Sequence, residues 1–289
     1  SDLSGGHNVV STVFIECQAM YRKGGPEEMK TLGQTEFVQG IVAQNASGRY
    51  GNIDVAAGIV AFANLAIGSD VERVLEAHQA VTPNFRGVRH ITAFDGSPDV
   101  PRPRPFPEGL FGDAKFREGF AVLEKLGLSF DAYIYHPQLH ELADLANAFP
   151  GVTIILNHVG GPLGVGPYAG KRDQIFEEWK GSMTAVAASP NVVVKVGGLV
   201  MPVCGFDWHE RAMPTTSGSL AQATAPYYLH CIEQFGPNRC MFESNFPVDK
   251  IACSYTVLWN SFKRLAHDFS PSEQAALFHD TATRFYRLS

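Results

Sequence analysis

Two residues near the end of the chain place a carboxylate and an amide two positions apart. Glu243 and Asn245 lie in the segment MFESNFPVDK, which we expect to close a buried strand. Because side chains alternate along a strand, Glu243 and Asn245 are predicted to share one face. A carboxylate can act as a base, whereas an amide only donates and accepts hydrogen bonds. The spacing therefore indicates a site in which Glu243 supplies the carboxylate.

Other apolar runs also end in polar side chains. His158 lies in NHVGG and is the candidate general base or, if any residue binds metal, the candidate ligand, because the following glycines allow a close approach. Arg89 and Arg86 would suit a substrate carboxylate, since guanidinium groups bind carboxylates in a bidentate manner. The remaining candidates at the same predicted mouth are Glu16, Gln18, His90, Asp131, Tyr135, His136, Asn157 and Lys195.

These residues also have structural interpretations. A charged side chain inside an apolar strand often belongs to a structural ion pair. For Lys195 and Glu16 we weigh this structural role and a functional role equally. The two arginines could equally pair with Glu16 or Asp131. Packing alone explains poorly why six of the seven predicted strands carry polar side chains towards their ends, so we expect a polar pocket. His209 and Arg211, on the long loop 199–218, could cover it and contact the substrate.

Composition and motifs exclude several classes of protein. The chain has 289 residues, 45% of them hydrophobic, with a net charge of −6 and no basic run, so we expect neither a nucleic-acid nor a membrane partner. Five scattered cysteines without a CxxC pair indicate reduced thiols in a cytoplasmic protein. Glycine-rich dinucleotide and phosphate loops are absent, and so is the G-x-S-x-G element of serine hydrolases.

The elements that must position these residues alternate between strand and helix. Continuous apolar runs predict strands at 8–17, 54–63, 85–93, 128–136, 152–159, 191–198 and 239–245. Helices are predicted at 26–44, 69–80, 113–126, 138–149, 170–188, 219–236, 254–267 and 271–285. Repeated βα units with buried strands indicate a parallel α/β barrel of the TIM type, and no linker divides 1–289 into domains.

Several of these segments resemble one family. ILNHVGGP, VVVKVGGL and FGPNRCMFESNFPVDK are similar to the fifth, sixth and last strands of amidohydrolase-related TIM-barrel hydrolases, in the branch that contains lactonases. GHNVVSTVFIECQAMYR and FRGVRH resemble its second and fourth strands. The resemblance implies a (β/α)8 barrel that lacks its first strand, because the H-x-H metal-ligand pair of that strand occurs nowhere in this chain.

The resemblance also sets an expectation for cofactor chemistry. The family's last strand usually ends in an aspartate that binds metal or acts as the base, and Asn245 occupies that position here. An amide is a poor ligand for a transition metal, so Glu243 would take over the carboxylate role. No cofactor is therefore expected, and a divalent metal such as zinc or manganese is the alternative.

The expected activity is hydrolysis of a small, anionic lactone or carboxylic ester at the carboxyl-terminal mouth of the barrel. Glu243 or His158 would activate water, and Arg89 and Lys195 would hold a carboxylate or the developing oxyanion. Hydrogen bonds from Asn245 and Tyr135 would orient the substrate or the water. Two alternatives are metal-dependent decarboxylation of an aromatic acid and a non-catalytic barrel that serves as a binding protein. Barrels of this kind commonly pair, so the sequence also allows a homodimer.

Overall fold

A single curved sheet of parallel strands forms the centre of the molecule. The computed structural model describes residues 2–288, and within them seven strands pair in chain order, so that β1 and β7 are the two edges. The strands are β1 Ser11–Ile15, β2 Asp54–Ala61, β3 Phe85–Ile91, β4 Ser129–Tyr133, β5 Ile154–Leu156, β6 Val192–Val196 and β7 Cys240–Phe242. The predicted TIM-barrel class is confirmed, as is the presence of every predicted strand.

The observed strands are all shorter than predicted. β7 stops at Phe242, so Glu243 and Asn245 lie beyond it, and Asn245 has a left-handed backbone with φ 49°. The predicted strand at 239–245 was thus too long, and alternation along a strand does not determine where Asn245 points.

One α-helix connects each pair of successive strands, and three more follow the last strand. They are α1 Leu32–Asn45, α2 Glu72–Val81, α3 Ala114–Lys125, α4 Leu139–Ala148, α5 Arg172–Ala187, α6 Ser217–Phe235, α7 Tyr255–Leu265, α8 Pro271–Ala275 and α9 Thr281–Tyr286. The predicted helix at 271–285 begins with the Ser270–Glu273 capping box, as its sequence indicates, but Ala276–Asp280 form a π-helical turn between α8 and α9. Among the described residues, no helix combines the length and apolar character that crossing a membrane requires.

The interior of the curved sheet is apolar at one end and polar at the other. Val193 and Met241 belong to a small buried cluster inside the sheet. Two residues further along the same strand faces come Lys195 and Glu243, so the polar side chains lie towards the carboxyl ends of the strands. The fold therefore concentrates buried charge at the end where parallel barrels place their active sites.

The last helix closes the opposite end. Thr281 donates to the carbonyl of Pro237, just before β7, at 3.2 Å, and Arg287 donates to the carbonyl of Arg86, near the start of β3, at 3.1 Å. Between them, Tyr286 enters the interior cluster and is 1% exposed. α9 thus reaches inside the sheet from the amino-terminal ends of its strands.

A glycine on α3 tests the packing of the helix layer. A Cβ at Gly119 would lie 2.2 Å from the carbonyl oxygen of Leu65, whereas one at Gly112 would meet no atom within 4 Å. We expect Gly119→Ala to lower the free energy of unfolding in urea by about 1–3 kcal/mol through overpacking. Gly112→Ala is the matched control and should change it by a few tenths. Equal midpoints for the two variants would contradict this packing.

Candidate active site

A histidine and a glutamate form a close pair beyond the ends of β5 and β7. His158 Nδ1 lies 2.5 Å from Glu243 Oε1, and the same oxygen accepts from the His158 backbone N–H at 3.1 Å. His158 is 3% exposed, and the ring of Tyr133 packs edge-on against the imidazole with centroids 5.0 Å apart. In the neutral tautomer whose Nδ1 donates to the carboxylate, Nε2 carries the lone pair. The arrangement is that of a base oriented by a carboxylate.

Two glycines after β6 make this pair sterically feasible. A Cβ at Gly198, whose φ is 77°, would lie 2.6 Å from His158 Nδ1, and a Cβ at Gly197 would lie 2.5 Å from Glu243 Cγ. A side chain at either position would displace the imidazole or the carboxylate. The VGG sequence that follows Lys195 is therefore a packing requirement of the His158–Glu243 pair.

A buried lysine links this pair to a second carboxylate. Lys195 Nζ lies 2.7 Å from Asp131 Oδ1 and 3.9 Å from Glu243 Oε2, and Lys195 and Asp131 are 4% and 0% exposed. Burial opposes ionisation of Glu243, but His158 and Lys195 outweigh it and lower the pKa of Glu243 to about 2. Glu243 is thus an anion at neutral pH.

Asp131 is a buried carboxylate with several donors around it. Besides Lys195, its Oδ1 accepts from Asn157 Nδ2 at 2.9 Å and from the Tyr286 hydroxyl at 2.9 Å. Its Oδ2 is buried and has no partner among the described residues. The structure therefore brings together five residues that were predicted at the strand ends: Asp131, Asn157, Lys195, His158 and Glu243.

A separate cluster surrounds Glu16 at the end of β1. Arg89 Nε lies 3.2 Å from one carboxylate oxygen of Glu16, and Arg104 donates to the other at 2.9 Å. Arg104 also stacks over the ring of Phe62 at 3.9 Å and donates to the Tyr21 hydroxyl at 3.0 Å. Two guanidinium groups on one carboxylate leave the cluster with a net positive charge.

Asn245 has a polar partner of its own. Its Nδ2 donates to Asp249 Oδ1 at 2.6 Å, and burial raises the pKa of Asp249 well above its usual range. Sequence reasoning did not identify Asp249, because it lies in the turn after the predicted strand.

Four predicted substrate-binding residues lie apart from the His158–Glu243 pair. Arg86 is at the amino-terminal end of β3 and bonds the carbonyls of Pro83 and Phe85. The Tyr135 hydroxyl donates to the carbonyl of Pro101 at 2.7 Å and so holds the proline-rich loop.

His136 and His209 complete that set. His136 Nδ1 accepts from the Leu163 N–H at 3.2 Å, and burial lowers the pKa of His136 to about 4, so it is neutral at physiological pH. His209 lies on the loop between β6 and α6, 3.8 Å from Glu210. The structure therefore does not bring either histidine to the pair.

Two residues of the clusters escaped sequence reasoning. Arg104 lies in the proline-rich loop 99–109, whose position after β3 was the available signal. Tyr286 lies in a helix about 90 residues after Lys195 in the sequence, and no local pattern links the two residues. Only the fold places them beside the carboxylates.

The chain belongs to the amidohydrolase family, whose model matches residues 21–288. It is 36% identical over 279 residues to an uncharacterized protein, y4mH, of Sinorhizobium fredii, covering 94% of this chain and 80% of that one. It is 28% identical over 233 residues to an L-fucono-1,5-lactonase of Burkholderia multivorans, covering 80% and 72%. A crystal structure of an amidohydrolase from Burkholderia multivorans with bound zinc superposes with a TM-score of 0.67 at 26% identity, covering 87% and 79%.

The zinc in that relative raises the question of whether this chain fits a metal. Within residues 2–288, no group of three or more histidine, cysteine, aspartate or glutamate side chains is placed to hold one. The interior carboxylates Glu16, Asp131 and Glu243 are each bonded to a cationic or imidazole side chain. A protein-bound zinc ion takes three or four protein ligands, so the described side chains do not fit one.

The lowered pKa of Glu243 predicts a specific acid response. Because the pKa falls from 4.5 to about 2 on folding, the ionised group stabilises the fold above pH 4.5, and this contribution disappears as pH falls through about 2. The unfolding free energy of the wild type should therefore drop by on the order of 3 kcal/mol more than that of Glu243→Gln over this range. Urea unfolding across pH measures it, and parallel curves would contradict the assignment.

Proposed function

We propose that this protein hydrolyses a small lactone, with His158 as the general base and Glu243 as the carboxylate that orients it. The 2.5 Å contact between His158 Nδ1 and Glu243 Oε1 carries the proposal. The lactonase names of relatives at 27–28% identity support the class of substrate. Asn245, where the family usually has an aspartate, counts against the metal-dependent decarboxylase and favours the non-catalytic alternative, whereas the 2.5 Å contact of His158 with Glu243 favours catalysis.

The reaction follows from the orientation of the imidazole. His158 Nε2 takes a proton from water while the water oxygen attacks the lactone carbonyl carbon. Collapse of the tetrahedral adduct breaks the ring C–O bond, and the imidazolium returns its proton to the departing alkoxide, giving a hydroxy acid. Glu243 stabilises the imidazolium, and Lys195 keeps Glu243 ionised. Asn245 Nδ2 already donates to Asp249, so Asn245 would accept from the water or the substrate through its amide oxygen.

We further propose that the substrate carries a carboxylate. Arg89 and Arg104 share the single buried carboxylate of Glu16, and their side chains are 13% and 11% exposed. The excess positive charge in a largely buried setting favours an anionic group on the ligand. Arg104 replaces Arg86 as the second guanidinium of the original prediction.

The hydrolysis is tested by proton release from a panel of lactones and esters, with and without a strong chelator. We expect activity that survives chelation and falls by at least about a hundredfold in His158→Asn and in Glu243→Gln, since each removes the base or its orientation. His267→Asn, an exposed histidine on the surface beyond α7, is the matched control. Full activity in both site variants would refute the pair as base, and activity lost to the chelator would refute a metal-independent base.

The substrate charge is tested on a carboxylated lactone and its neutral methyl ester. Arg104→Leu should raise KM for the carboxylated compound about tenfold or more relative to the ester, because it removes a charged hydrogen-bond donor. Arg102→Leu is the control, since Arg102 lies in the same loop and stacks on Phe94 at 4.2 Å. Equal changes in KM for both compounds would contradict an anionic substrate.

A further inference from the structure

We propose that Tyr286, on the carboxyl-terminal helix α9, is a positioning residue for the His158–Glu243 pair. It acts from the opposite end of the barrel interior through Asp131 and Lys195. The inference rests on the proposed function and extends it to a helix that carries none of the groups expected to touch substrate. It also gives a role to a buried polar group that the reaction itself does not use.

A continuous set of contacts joins the hydroxyl to the base. The Tyr286 hydroxyl donates to Asp131 Oδ1 at 2.9 Å, and Lys195 Nζ lies 2.7 Å from that same oxygen. Lys195 Nζ is 3.9 Å from Glu243 Oε2, and Glu243 Oε1 is 2.5 Å from His158 Nδ1. These contacts form a column of side chains, Tyr286, Asp131, Lys195, Glu243 and His158, which runs from the amino-terminal towards the carboxyl-terminal ends of the strands.

The surroundings of Tyr286 show that its hydroxyl serves this contact. The side chain is 1% exposed and packs in an apolar cluster with Val60, Ile155, Val193 and Met241. A phenylalanine would fill the same space without placing a polar atom there. The hydroxyl therefore contributes one donor to Asp131 in a region that excludes water, where such a bond has its full effect.

The Tyr286 hydroxyl affects how closely Lys195 lies to each of its two carboxylates, Asp131 and Glu243. Asp131 Oδ1 receives donors from Tyr286, Asn157 and Lys195, while Asp131 Oδ2 has no partner among residues 2–288. Removing the hydroxyl leaves Asp131 under-bonded, so Lys195 is drawn towards Asp131 and away from Glu243. A less constrained Glu243 holds the imidazole less firmly, which lowers the rate of the chemical step and leaves substrate binding intact.

The test compares two variants of α9 that each lose one buried hydroxyl. Tyr286→Phe should lower kcat about tenfold, the effect of one hydrogen bond to a charged group, with KM unchanged. Thr281→Val is the matched control, because Thr281 is 2% exposed and its hydroxyl donates to the carbonyl of Pro237 at 3.2 Å, away from Asp131. It should leave kcat unchanged. An unchanged kcat in Tyr286→Phe, or an equal loss in Thr281→Val, would overturn the inference.

A second readout separates this inference from the proposed function. If the wild type hydrolyses none of the lactones, the proposed function fails, and the acid dependence of unfolding still reports on the column. The loss of stability associated with Glu243 should then begin at higher pH in Tyr286→Phe than in the wild type, and not in Thr281→Val. Superimposable acid profiles for Tyr286→Phe and the wild type would overturn the positioning role without any measurement of activity.

Discussion

The buried contact between Asp131 and Lys195 is the constraint on which the rest of the interior depends. Removing either partner would leave an uncompensated charge away from water, which is strongly destabilising. Their neighbours are arranged accordingly, with Asn157 and Tyr286 donating to the carboxylate and Glu243 facing the ammonium group. Because Lys195 touches both carboxylates, the groups that stabilise the fold and those that orient His158 form one electrostatic unit.

Much of this organisation could be predicted from the sequence. Continuous apolar runs identify the parallel strands, and a polar residue inside such a run, like Asp131 or Lys195, is visible because burial makes it expensive. The rule that strand ends meet at one mouth then brings His158 and Glu243 together without any distance being known. Both inferences use local pattern and one general property of parallel barrels.

The sequence could not show where the strands end or which residues from distant parts of the chain contact the buried carboxylates. Arg86 was expected to bind substrate although the predicted strand at 85–93 already put it near the strand's start, and β3 begins at Phe85 in the structure as well. Asn245 was aligned with Glu243 although its left-handed backbone turns it towards Asp249. Arg104 and Tyr286 reach the clusters from a loop and a helix whose side-chain directions no periodicity encodes.

The sequence separation within the column has a consequence for how the protein forms. Tyr286 lies 155 residues after its partner Asp131, and Lys195 lies between them in the chain. During synthesis the carboxylate and the ammonium group emerge well before the hydroxyl, so an unfinished sheet holds its interior charges without their full set of donors. Contacts of such long range also slow the approach to the native state. The barrel should therefore complete its folding as a single cooperative unit only after α9 becomes available.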